Sequence, residues 1–157
     1  MLPVGVSGIF GVWLCLDAVR ERRGSMPRNR LVVHYQDGHV IKGHSMDFNP
    51  SRPRFHLSEK NSVGEPTEIQ MKDLKAVFFV RDFKGDPTHI VRNDFDPQAR
   101  YIGKKLLVRF IDGEELAGVR QGYREGRPGF FLTPADPHCN TERAFVIEAA
   151  VESMEEI

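Results

Sequence analysis

The chain has 157 residues, with 22 Lys plus Arg against 22 Asp plus Glu, so it lacks the strong positive excess that sequence-independent binding to a polyanion requires. Its two cysteines, Cys15 and Cys139, lie far apart and match no metal or redox spacing, which fits a reducing cytoplasm better than a disulfide framework or a zinc site. The length accommodates one ordinary domain or two small ones.

An apolar run, Leu2 to Leu16, opens the chain with no charge before Asp17. It is shorter than the roughly 20 residues that span a bilayer. No basic residue precedes it as a signal peptide requires, and Arg20-Glu21-Arg22-Arg23 follows on the wrong side. Residues 1–25 are therefore expected outside the fold, as an extension ahead of a protein that starts at Met26, with a short anchor or docking helix as the other reading. No stable membrane span is expected.

From Leu31 the chain repeats itself. Leu31 to Ser58 (LVVHYQDGHVIKGHSMDFNPSRPRFHLS) aligns without a gap to Leu106 to Thr133 (LLVRFIDGEELAGVRQGYREGRPGFFLT), at an offset of 75, with nine of 28 positions identical. Each copy opens with the period-two pattern of a half-buried strand: Leu31, Val33 and Tyr35 in one, Leu106, Val108 and Phe110 in the other. Asp37-Gly38 and Asp112-Gly113 follow as hairpin signals. The second strand then carries Gly43 or Gly118 in its interior, where a glycine marks a bulge or bend, and a positive φ is expected at both. Turn-rich segments ending in Arg52-Pro53 and Arg127-Pro128 lead to a third strand that directs Phe55 and Leu57, or Phe130 and Leu132, inward.

Two further strands complete the first copy, over Glu68 to Met71 and the apolar Leu74 to Val80. The polar segment that follows, with two Asp-Pro steps, reads as a linker. The second copy answers with Ala144 to Ile147 and Ala149 to Met154, after a gap of one or two residues. The expected fold is all-β: two tandem small five-stranded SH3/Sm-like barrels related by an internal repeat, at 26–80 and 103–157, joined by a linker at 81–102.

Gly103 to Gly113 (GKKLLVRFIDG), with Gly118 five residues on, resembles the opening of Sm-like proteins. The chain departs from them in its longer Arg-Pro insertions and in Met71-Lys72-Asp73-Leu74, which takes the place of the second Sm motif without reproducing it, so RNA contacts are not carried over. Val32 to Tyr35, Ile41-Lys42-Gly43, Asp47-Phe48, Phe55-His56-Leu57, Leu74 to Val80 with Asp82-Phe83, Arg127 to Leu132 and Pro134 to Pro137 are similar to an uncharacterised bacterial domain family. That resemblance covers nearly everything after Met26. It implies a bacterial protein whose relatives are sometimes linked to PilZ or response-regulator modules, and it implies no activity. PilZ domains bind cyclic di-GMP through an Arg-rich entry and Asp-x-Ser-x-x-Gly. Arg28 and Arg30 imitate the first part and Asp47 to Arg52 the second, but Asn49 stands in place of Ser and Arg52 in place of Gly.

No nucleophile, phosphate loop, dinucleotide fingerprint or metal-ligand spacing occurs, so neither catalysis nor a cofactor or metal is expected. His34, His44 and His56 belong to the first copy, but their counterparts are Arg109, Val119 and Phe131 and nothing completes a ligand set. Arg52 and Arg127 persist in both copies. Read structurally, they bond loop carbonyls or pair with Asp37 or Asp47; read functionally, they are equivalent contacts for an anionic partner. Phe78-Phe79 and Phe130-Phe131 each place one ring away from its own core, to pack the copies together, to dimerise, or to stack on bases. The candidate contacts are thus Arg52, Arg127, Phe79, Phe131, Arg28 and Arg30. The expected function is a non-catalytic cytoplasmic binding or adaptor module with a protein partner, the alternatives being an Sm-like RNA binder and a cyclic-dinucleotide receptor.

Overall fold

Alternation of apolar and polar side chains builds the first strand, β1 (Asn29–Tyr35), in which Leu31 and Val33 are fully buried. The computed structural model describes residues 29–157 other than 61–62 and 123–124. The expectations for residues 1–25 and for Arg28 lie outside the described residues. After β1 come β2 (Val40–Ser45), β3 (Arg54–Glu59), β4 (Thr67–Gln70), a 3-10 turn (Met71–Asp73) and β5 (Leu74–Val80). The later half runs β6 (Lys104–Phe110), β7 (Glu115–Arg120), β8 (Gly129–Pro134), β9 (Thr141–Ile147), a second 3-10 turn (Glu148–Ala150) and β10 (Val151–Glu156). Among the described residues no helix is long and apolar enough to cross a membrane.

The ten strands of the described residues form one open antiparallel sheet in the order β10-β6-β7-β8-β9-β5-β1-β2-β3-β4. The all-β expectation holds, while the sheet is continuous and not closed into two separate barrels. Where each barrel was to end, β5 pairs on one side with β1 and on the other with β9, Val77 standing opposite Phe145. The physical reason is the composition of these two strands. β5 is buried on both faces along most of its length, and a strand without a solvent face needs a neighbour on each edge and a layer on each side.

Within each half the registers correspond. Leu31 faces Gly43 as Leu106 faces Gly118, at the offset of 75. Phe55 faces Ile69 as Phe130 faces Val146, the later strand now offset by 77. Val33 faces Val77 as Val108 faces Met154, and both pairings slip by one residue at Lys75 and Glu152. The backbone turns match as well: Gly38 N donates to Tyr35 O and Gly113 N to Phe110 O, with φ of 95° and 94° at the two glycines.

Gly43 and Gly118 do not have the expected positive φ. They are required for a different reason, the close approach of β3 and β8. A Cβ on Gly43 would stand 2.3 Å from Ser58 O, and one on Gly118 2.5 Å from Thr133 O, inside any tolerable contact.

Two cores flank the junction. The first holds Leu31, Val33, Phe55, Leu57, Leu74, Val77 and Phe79, together with Phe145 and Ile147 from β9. The second holds Leu106, Val108, Phe110, Phe130, Leu132, Ala144 and Val146, together with Ala76 from β5, and Phe78 packs against it. Successive residues of a strand point to opposite faces, so β5 and β9 each feed alternate side chains into both cores.

Candidate functional site

The two Arg-Pro loops converge because of the junction. Each proline ends its loop, lacks a donor, and offers its carbonyl to the 3-10 turn of its own half: Met71 N donates to Pro53 O at 2.9 Å and Glu148 N to Pro128 O at 3.0 Å. Pairing of β9 with β5 then sets the start of β8 beside the turn that enters β5. The result is a cleft of about 380 Å³ lined by Ser51-Arg52-Pro53, Gln70-Met71-Lys72 and Gly126-Arg127-Pro128.

Among the described residues, three cations and no carboxylate line this cleft. The partners suggested by the sequence are otherwise engaged. Asp37 Oδ1 accepts from His39 N at 2.9 Å, while Asp47 accepts from His56 N at 2.9 Å and from Ser45 Oγ at 3.2 Å. The side chains of Arg52, Lys72 and Arg127 form no hydrogen bond or ion pair with a described residue. Arg127 is half-buried and Arg52 and Lys72 are exposed. Arg52 and Pro53 also border a wider hollow of about 760 Å³ formed with Met46 to Asn49, Arg54 and His56. There Asp47 and the His56 ring pair at 2.7 Å. Burial alone would raise the Asp47 carboxyl, but the bonds from His56 and Ser45 hold it below its usual range.

The other candidate residues are placed elsewhere. Phe79 is buried in the first core, 4% exposed. Its neighbour Phe78 faces the second core, so both rings have intramolecular partners. Phe131 is half-buried between Phe79, Phe145 and Phe48, and the Arg143 guanidinium covers it at 4.5 Å. Arg30 Nη1 donates to Arg81 O at 2.8 Å, away from the cleft. Among the described residues no three His, Cys, Asp or Glu side chains gather as metal ligands.

Two polar clusters escaped the sequence. Asp136 is buried beneath the 81–103 segment, where Oδ2 meets His89 Nε2 at 2.7 Å and accepts from Arg92 N at 3.1 Å, and Oδ1 accepts from His138 N at 2.9 Å. Burial works to raise its pKa, yet these three partners together bring it down to about 2. Lys75, the extra residue at the β5 slip, reaches Asp112 at 2.8 Å and also Glu114, with Phe110 beneath it at 4.8 Å. Burial would lower its pKa, and the two carboxylates raise it instead. A lone lysine inside an otherwise apolar run was the available signal.

A family model matches residues 27–157, described as a family of unknown function, DUF6982. The chain belongs to that family. The match takes in both halves, the junction and the whole cleft, so the arrangement described here lies within the family's own extent. No curated protein and no solved structure matches the chain.

Proposed function

We propose that this chain is a non-catalytic binding module, built from two copies of one small Sm/SH3-like unit, whose partner presents an anionic group to the cleft between the copies. The duplication is supported by the strand order β5-β1-β2-β3-β4 recurring as β10-β6-β7-β8-β9, with corresponding registers. The observation that carries the ligand reading is the convergence of Arg52 and Arg127, equivalent positions of the two copies, on one cleft with Lys72 and, among the described residues, without a counter-charge. Guanidinium groups so placed suit a phosphate, whose oxygens accept in the plane of the fork. The overall charge balance argues against a polyanion held along its length. A non-catalytic role is supported by Cys139, whose thiol is buried, donates to Thr141 O at 3.3 Å, and is pushed up by that burial away from the thiolate form.

Calorimetric titration with pyrophosphate, labelled single-stranded RNA and cyclic di-GMP tests the reading. At least one should bind, and Arg52→Ala and Arg127→Ala should each weaken it about tenfold, the worth of roughly one charge-assisted hydrogen bond. Arg30→Ala should leave binding unchanged. Failure of all three ligands to bind at millimolar concentration, or equal binding by the Arg52→Ala/Arg127→Ala double variant, would sink the proposal.

A further inference from the structure

Among the described residues the sheet ends at β4 on one side and β10 on the other. These are not arbitrary edges. β4 occupies in the first half the place of β9 in the second, and β10 occupies in the second half the place of β5 in the first. Because β5 and β9 are the two strands that pair at the centre of the molecule, β10 of one chain and β4 of another are the same two surfaces once more. Repeating that step joins copies head to tail, a heterologous contact that leaves a fresh pair of edges at every addition.

The side chains decide whether that step is taken. At the junction, Phe145 and Ile147 cross from β9 into the first core, while Ala76 and Phe78 on β5 face the second. The corresponding residues on β4 are Glu68 and Gln70, and on β10 they are Ser153 and Glu155. Carrying the junction register to the edges would set Glu155 opposite Thr67 and Met154 opposite Glu68, in place of Phe78 opposite Ala144 and Val77 opposite Phe145. Glu68 pairs at the surface with Arg54 at 3.8 Å and accepts from Gln70 Nε2, and both it and Glu155 would have to leave water to enter an apolar core. Pro66 stands where Arg143 stands on β9 and has no N–H to donate. β4 is also only four residues long against seven for β9. Short edges, proline and inward-pointing charge are the means by which sheets avoid edge-to-edge growth.

We infer that the β4 and β10 edges form a latent head-to-tail interface for a second copy of this chain, held shut by Glu68, Gln70 and Glu155 and by Pro66. The strand order and register of the junction recur at these edges, which lack its apolar side chains and, at Pro66, one backbone donor.

Two complementary variants test this. Glu68→Phe/Gln70→Ile repairs the β4 edge, and Ser153→Ala/Glu155→Phe repairs the β10 edge. By size-exclusion chromatography with light scattering, the unaltered chain and the β4-edge and β10-edge variants should each run as monomers at tens of micromolar. Mixing the two variants should give a 1:1 heterodimer, and the chain carrying all four substitutions should form longer assemblies. Requiring both partners separates edge pairing from the general stickiness of an added phenylalanine, and circular dichroism of each variant alone establishes that it has folded. Self-association of the unaltered chain that is lost on Glu155→Lys would overturn the inference, as would two folded variants that stay monomeric when mixed.

Discussion

Gly43 and Gly118 show how one residue type answers two different demands. Gly38 and Gly113 occupy the left-handed region with open space around the missing Cβ, so the backbone angle alone selects glycine. At Gly43 and Gly118 the angle is permissive and the missing atom itself is the requirement, because β3 and β8 pass where a Cβ would be. Gly43→Ala or Gly118→Ala must push backbone away from backbone, and each should destabilise the protein by about 1–3 kcal/mol, the usual range for overpacking. Thermal or urea unfolding measures it, and a loss below about 0.5 kcal/mol would show that the strands separate freely. The positions of these glycines were legible in the repeat, but not their reason, since φ and interstrand distance leave the same mark in a sequence. Arg52 and Arg127 were legible in the same way. Lys72 was not, because its counterpart is Ala149 and no periodicity singles it out.

Among the elements, the 81–103 segment behaves less as a tether than its polar composition suggests. Arg81 N donates to Asn140 O at 2.9 Å, Asn140 Nδ2 returns a bond to Asp82 O at 2.7 Å, and Asp136 holds His89 and Arg92 from beneath. Two Asp-Pro steps announced a turn-rich stretch, but a single buried carboxylate 44 residues beyond Arg92 leaves no local signal of the anchor. Its contribution depends on pH. A carboxyl held at about 2, against 3.8 ordinarily, favours folding above pH 4 and loses that advantage as the pH falls through 2. Asp136→Asn should therefore cost roughly 2–3 kcal/mol at neutral pH, the lowering from 3.8 to about 2 taken at roughly 1.4 kcal/mol per pH unit. The gap between variant and native protein should narrow steadily from pH 4 to pH 2 in chemical unfolding. A gap independent of pH would assign the role of Asp136 to shape and not to charge.

At the scale of the whole molecule, the junction makes the two halves mutually dependent. The apolar runs of β5 and β9 told that both strands are covered on both faces. They could not tell by what, because pairing between strands distant in sequence has no local code. The order within each half was readable from hairpins and short connections, whereas the β5–β9 pairing was not, and neither was the cleft that depends on it. Once formed, that pairing puts Phe145 and Ile147 of the later half into the first core, and Ala76 of the earlier half into the second. A module of about 50 residues buries little surface alone, and each half here lacks part of its core until the other supplies it. Unfolding should therefore be a single transition. Phe145→Ala empties space in the first core although the residue lies in the second half, and it should cost about 3–5 kcal/mol, the range for a fully buried phenylalanine. The decisive reading is where that loss is felt. Native-state hydrogen exchange should show the amides of Leu31, Val33 and Val77 losing protection together with those of Val108 and Leu132. Loss confined to β6–β9, with β1–β5 unchanged, would mean that the halves fold independently and that the shared strands add contact without coupling.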